Sequence, residues 1–195
     1  MNYAMQQNRR PTLEQIEDEL NRRESGREIK KTIFGTIKSL IVVAAAAVLV
    51  ANLLIAVLLI NRSSMNPTLT DGDVVLALRW AGAKPGEIIA FHYNNKVLLK
   101  RVIAKAGDWV DIGEDGTVFV NGEEIEEPYL EKKAYGECDI ELPYQVPEGC
   151  VFVMGDNRAV SADSRQKDIG PVSSEHIIGK VFMRIWPLTK IGIPH

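Results

Sequence analysis

The amino-acid sequence predicts a mainly β protein: a single N-terminal transmembrane helix followed by a coiled antiparallel β-sheet domain. Three observations carry that expectation. The window Ser39 to Ile60, SLIVVAAAAVLVANLLIAVLLI, has no charged residue over more than the ~20 residues that a bilayer-spanning helix needs. Behind it come six or seven short apolar stretches broken by Gly, Pro, Asn and Asp, the pattern of strands. No long amphipathic helix separates those stretches, so parallel βαβ units are disfavoured and antiparallel pairing is expected.

Taken in order, the chain opens with a polar segment, residues 1–38, in which PTLEQIEDELNRRESGREIKK sets Thr12 and Gln15 in a capping-box relation. Leu13, Ile16 and Leu20 follow at helical spacing, which predicts a short amphipathic helix. The span is placed at residues 39–57. It lies too far from the start, and its apolar core is too long, for a cleaved secretory signal. Arg27, Lys30, Lys31 and Lys38 precede it, whereas only Arg62 follows closely, with Asp71 and Asp73 soon after. That asymmetry predicts a cytoplasmic N-terminus, an exported C-terminal part and a single-pass protein of the cell membrane, with the lipid bilayer as its first partner. The helix is expected to break near Asn52 to Ala56, making VLLI before Asn61 a strand. The domain proper, residues 58–195, contains DVVLALRW, GEIIAFHY, KVLLKRVIAKAGD, TVFVNGEEI, CVFVMGD and KVFMRIW as strand candidates. EDGTVFVNGEEI reads as a hairpin, with Asp115-Gly116 and Asn121-Gly122 as turn signals.

Composition narrows the function. With 46% hydrophobic and 25% charged residues, the chain has room for one core or two small ones and is not compositionally disordered. The formal net charge of −3 and the lack of a basic stripe argue against nucleic acid as a partner. Cys138 and Cys150 both fall in the exported part, where a disulfide could persist, although their spacing does not require one. Two lone cysteines and scattered histidines make no metal site, and no cofactor is called for. His92, His176 and His195 lie in no motif with a nearby carboxylate.

Three polar features stand out against the β background: Ser64 in SSMNPT, Lys100 in VLLKRVI, and the run GDNRAVSADSR from Gly155 to Arg165. On its own each has an ordinary explanation, as a turn serine, a solvent-facing strand lysine and a polar loop. Lys100 fits its explanation poorly. Strand alternation puts it with Leu98 and Val102 on one face and Arg101 with Leu99 and Ile103 on the other, and both faces look apolar. An amine in such surroundings loses hydration of its charged form, so its pKa falls and it can accept a hydroxyl proton near neutral pH.

SSMNPTL with GDVV, then KRVIAKAGD, VNGEEIEEPYL, GDNRAVSADSR…IGPV and the closing RIWPL resemble the successive boxes of bacterial type I signal peptidases, in family order from about Leu58 to Ile191. The resemblance implies a membrane-anchored β ectodomain, of the shorter Gram-positive-like form, that removes signal peptides from exported preproteins by a Ser-Lys mechanism. It selects Ser64, the serine before Met-x-Pro-Thr, over Ser63 as nucleophile, and Lys100, the lysine before Arg-Val, as general base. It gives Ser161 a role in hydrogen-bonding and orienting the lysine, with Asp163 and Arg165 supporting that serine and its loop. It further implies a substrate bound as an extended strand and cleaved after small-x-small sites, and Met65, adjacent to Ser64 in sequence, is the candidate wall of the pocket for the first residue before the scissile bond. Two departures stand out. Ala159-Val160 replaces the Asp-Asn that many members carry after GDNR. Arg62, two residues before the nucleophile, replaces a hydroxyl residue or glycine, which puts a side-chain oxyanion donor there in doubt. Rival readings are a Ser-Lys peptidase dedicated to pilin or conjugation substrates, and a non-catalytic anchored β-domain. Neither client preproteins nor oligomeric state can be read from the sequence.

Overall fold

The computed structural model describes residues 12–79, 82 and 84–194. The chain divides into two compact units, residues 1–50 and 51–195. Helix α1 spans Leu13–Leu54, 42 residues without interruption. It is the one helix among the described residues long and apolar enough to cross a membrane. At 1.5 Å per residue it measures about 60 Å, roughly twice a hydrocarbon core. The expected short amphipathic helix is therefore the first part of the same helix, because nothing between residues 21 and 38 is a strong stop: Gly26 and Gly35 lower propensity without breaking the ladder. At its start Ile16 N–H donates to the Thr12 carbonyl at 3.1 Å. The side chain of Gln15, the other half of the expected capping box, lies outside the described residues. The helix stops at Leu54, three residues short of the expected end of the span, and Ile55 opens the first strand.

The second unit carries eleven strands among the described residues: β1 (Ile55–Leu59), β2 (Val74–Leu78), β3 (Ile88–Tyr93), β4 (Lys96–Lys105), β5 (Trp109–Ile112), β6 (Val118–Val120), β7 (Glu123–Glu124), β8 (Tyr144–Gln145), β9 (Cys150–Met154), β10 (Val172–Ser173) and β11 (Ile177–Trp186). Seven form one sheet in the order β1-β2-β11-β3-β4-β9-β10, and four form another in the order β7-β6-β5-β8. Every pairing is antiparallel, as expected for strands with no crossover helices. The anticipated hairpin is β6–β7, whose turn places Asn121 and Gly122 at φ 54° and 83°, the left-handed pair that a two-residue hairpin turn demands.

Strands β3 and β4 lie mid-sheet and are covered on both faces. Ile88 belongs to one apolar cluster, with Met65, Leu69, Val75 and Val181, and Ile89 to another, with Phe91, Val102 and Val153. A third cluster, Ile103, Val110, Val118 and Phe152, joins residues of the large and small sheets. Any charged side chain placed mid-β4 is thus committed to the interior. Cys138 and Cys150 are free thiols.

Candidate active site

Ser64 stands in the turn that leaves β1. Its neighbours fix it: Met65 and Leu69 are 1% and 0% exposed and anchor the turn in the core, and Leu69 N–H donates to the Met65 carbonyl at 2.9 Å. Asn66 N–H closes the turn onto the Ser63 carbonyl at 3.1 Å. From the other side, Asn157 N–H donates to the Ser64 carbonyl at 3.0 Å and Asn157 Nδ2 to the Ser63 carbonyl at 3.3 Å. The backbone carrying the hydroxyl is therefore held from two directions, while among the described residues the Ser64 N–H makes no hydrogen bond.

Lys100 projects from β4, where it pairs with Ile89 of β3. It is 2% exposed, and its Nζ donates to Ser64 Oγ at 2.8 Å. Burial is the main reason that the amine is pulled down from 10.5 to about 8; the carboxylates of Asp163 and Asp156 push it back up, while the guanidiniums of Arg165 and Arg62 push it further down. At that value a useful fraction is neutral near physiological pH. In the neutral amine the hydrogen bond reverses, with Ser64 Oγ–H donating to Nζ, which is the arrangement a general base needs.

The segment 155–165 supplies the third side. Asp163 and Arg165, both 0% exposed, form a fork: Arg165 Nε to Asp163 Oδ1 at 2.8 Å and Nη2 to Oδ2 at 2.9 Å. Asp163 Oδ2 also accepts from Gly155 N–H at 2.9 Å, and Arg165 donates to the carbonyls of Tyr135 and Arg158 at 2.6 and 2.9 Å. Gly155 sits where no side chain fits, since a Cβ there would collide with Ser161 Oγ and the Ser64 carbonyl. Ser161 Oγ is buried and has no hydrogen-bond partner. It is thus placed beside Gly155, as is the Ser64 carbonyl, without the bond to the lysine that the resemblance implies. Met65 lines a cavity of about 370 Å³ that also includes Ser64 and Leu59.

Sequence reasoning missed Arg101 and what it holds. On the face of β4 opposite Lys100, Arg101 is 3% exposed. It pairs with Asp156, Nε to Oδ1 at 2.9 Å and Nη2 to Oδ2 at 2.6 Å, donates to the Gly86 carbonyl at 2.7 Å, and lies 3.8 Å from the centroid of Tyr129. Thr68 Oγ1, four residues past Ser64, donates to Asp156 Oδ2 at 2.6 Å. Arg158 pairs with Glu127 in a buried bidentate contact. Tyr129 Oη donates to Glu127 at 2.9 Å, and burial followed by the Glu127 charge holds this phenol well above its usual range. A signal was available: an arginine between Leu99 and Ile103 on an apolar face must find a carboxylate. Its partner lies 55 positions away.

A family model described as signal peptidase, peptidase S26, matches residues 33–186. The chain is 34% identical over 182 residues to a signal peptidase IB of Staphylococcus aureus, covering 83% of this chain and 94% of that protein. It is 33% identical over 175 residues to a signal peptidase I of Bacillus licheniformis, covering 83% and 93%. A crystal structure of a signal peptidase I from Enterococcus faecalis is 30% identical, with a TM-score of 0.44, over 51% of this chain and 96% of that one.

Proposed function

The chain belongs to the signal peptidase family, peptidase S26, and from that premise we propose that it removes signal peptides from exported preproteins with Ser64 as nucleophile and Lys100 as general base. The observation that carries the assignment is the 2.8 Å contact between a hydroxyl and a buried amine. Neutral Lys100 takes the Ser64 proton as Oγ attacks the scissile carbonyl carbon, and the carbonyl electron pair moves onto oxygen. The free Ser64 N–H is the donor available to that oxyanion. Collapse breaks the C–N bond, and the Lys100 ammonium returns its proton to the leaving amine. The freed mature chain departs, leaving the signal peptide esterified to Ser64. Lys100 then deprotonates a water that hydrolyses this ester. Asp163 and Arg165 hold the loop that positions Gly155 and Ser161 against the nucleophile, and the unpartnered Ser161 hydroxyl is the group assigned to the lysine once it is charged.

An extended preprotein segment binds by strand addition, which sends alternate side chains inward. Met65 walls the first of two small pockets, so cleavage follows small-x-small sequences. The apolar half of α1 anchors the chain in the bilayer, and the basic residues before it keep the N-terminus cytoplasmic and the β domain outside. On cells stripped of their wall, external protease should digest the region after Arg62 and spare about the first 30 residues. Protection of the C-terminal part would reverse the orientation. The defining experiment incubates the detergent-solubilised protein with a preprotein. Wild type and Ser63→Ala should release the mature chain, whereas Ser64→Ala should not; a cleaving Ser64→Ala variant would remove the assignment.

A further inference from the structure

Two cavities that contain Ser64 share a one-sided charge. One, about 420 Å³, takes in Ser64 and Lys100; the other, about 370 Å³, is walled by Leu59, Met65 and Leu99 around the same serine. Arg62 and Lys96 border both. Both side chains are exposed, and among the described residues neither makes a hydrogen bond or an ion pair. No carboxylate is among the residues lining either cavity. Exposed cations without an ion pair also occur away from these cavities, among them Arg79, Lys84, Lys105 and Lys167; what sets Arg62 and Lys96 apart is their place, together at the rim of both of these cavities around Ser64, with no carboxylate in either lining. Their charge is therefore uncompensated where the substrate chain must lie.

The two cations also come from the elements that carry the reacting groups. Arg62 is two residues before Ser64, and Lys96 is four before Lys100 on β4, an even offset that gives both lysines one face of the strand. Concave sites with apolar walls and charge of one sign focus the field on a ligand of the opposite sign, and a guanidinium fork matches a carboxylate in geometry as well as in charge. We infer that Arg62 and Lys96 are specificity-determining residues that favour preproteins with an aspartate or glutamate beside the cleavage site. The inference rests on the reading above, in which an extended preprotein segment crosses Ser64. The two small-residue pockets take the first and third positions before the bond. The acidic side chain therefore belongs at the second position before it or at one of the first two after it. A lipid phosphate has the same charge, but the cations border the cavities that hold the nucleophile, which the peptide must enter.

The test uses the full chain in detergent and model preproteins that differ at one of those three positions, carrying Glu, Gln or Lys. The readout is the ratio of kcat/KM for Glu over Gln, measured on one enzyme. At one position wild type should favour Glu by about three- to ten-fold and disfavour Lys. The preference should shrink as salt rises from about 0.05 M to about 0.5 M and fall to about one in the Arg62→Gln, Lys96→Gln double variant. A ratio near one at all three positions, or a preference that survives the double variant, overturns the inference. A ratio near one combined with stimulation by phosphatidylglycerol vesicles that the double variant loses would give the cations to lipid and also overturn it. In each of these cases Ser64-dependent cleavage of the Gln substrate persists. Its absence for every substrate would overturn the underlying reading, and this inference with it.

Discussion

Replacing Lys100 with methionine should make the protein more stable at neutral pH while destroying its activity. Methionine fills nearly the same space with an uncharged, flexible chain, and so removes the cost of burying an amine that is 2% exposed. That cost follows from the titration. The amine ionises near 10.5 in the unfolded chain and near about 8 in the folded one. Between those values the unfolded state binds the additional proton, so wild-type stability rises as pH climbs through this window and is lowest below about 8. The gap from 10.5 to about 8, at about 1.4 kcal/mol per pH unit, comes to about 3 kcal/mol. The assay is denaturant unfolding of both full-length proteins in detergent from about pH 6 to 11, taking the difference in unfolding free energy at each pH so that titrations common to both cancel. The variant's advantage should stay level below about pH 8 and then shrink by about 3 kcal/mol as the pH reaches about 10.5. A difference that does not change with pH would show that Lys100 titrates normally in the folded protein and would refute the burial argument.

Asp156→Asn leaves Arg101 buried without its counter-charge and should cost about 3–5 kcal/mol in thermal or denaturant unfolding. Because Asp156 raises the Lys100 pKa, the surviving folded enzyme should show its rising pH-rate limb displaced to lower pH. Gly155→Ala forces a Cβ onto Ser161 Oγ and the Ser64 carbonyl. It should lower stability by about 1–3 kcal/mol and kcat by roughly 100-fold through a displaced nucleophile, read by unfolding and single-turnover cleavage. Leucine in place of alanine at the first or third position before the scissile bond should cut turnover by about ten-fold or more, while leucine at the second should be nearly silent. Equal tolerance at all three would contradict extended-strand binding.

What could be read from the sequence depended on how locally each feature was encoded. The antiparallel β class followed from short apolar runs and Gly-containing turns, and the change from helix to strand, expected near Asn52 to Ala56, falls between Leu54 and Ile55. The burial of Lys100 was legible because alternation on β4 surrounds it with apolar neighbours, a constraint contained within a few residues. Strands β8 and β10 are two residues each, too short to show alternation, and only their partners define them. The continuity of α1 escaped because a polar stretch and an apolar stretch can share one helix without a change in backbone. The buried pairs were hidden for a different reason: Arg101 and Asp156 are 55 positions apart, and Arg158 and Glu127 are 31 apart. Sequence shows a charge that needs a partner but not which fold-distant residue supplies it. The Ser161 hydrogen bond to the lysine, implied by family resemblance, is not formed among the described residues, where the hydroxyl is buried and unpaired.

The central claim is that neutral Lys100 takes the proton from Ser64, and the pH dependence of kcat/KM for preprotein cleavage tests it most directly. For the wild type kcat/KM should climb with pH and level off above an apparent pKa of about 8, since the amine must be uncharged to act and kcat/KM reports the free enzyme. Lys100→Arg should be inactive at every pH because a guanidinium stays protonated. A profile flat down to pH ~6, the ordinary histidine range, or an arginine variant that still cleaves, would show that the proton goes to another group.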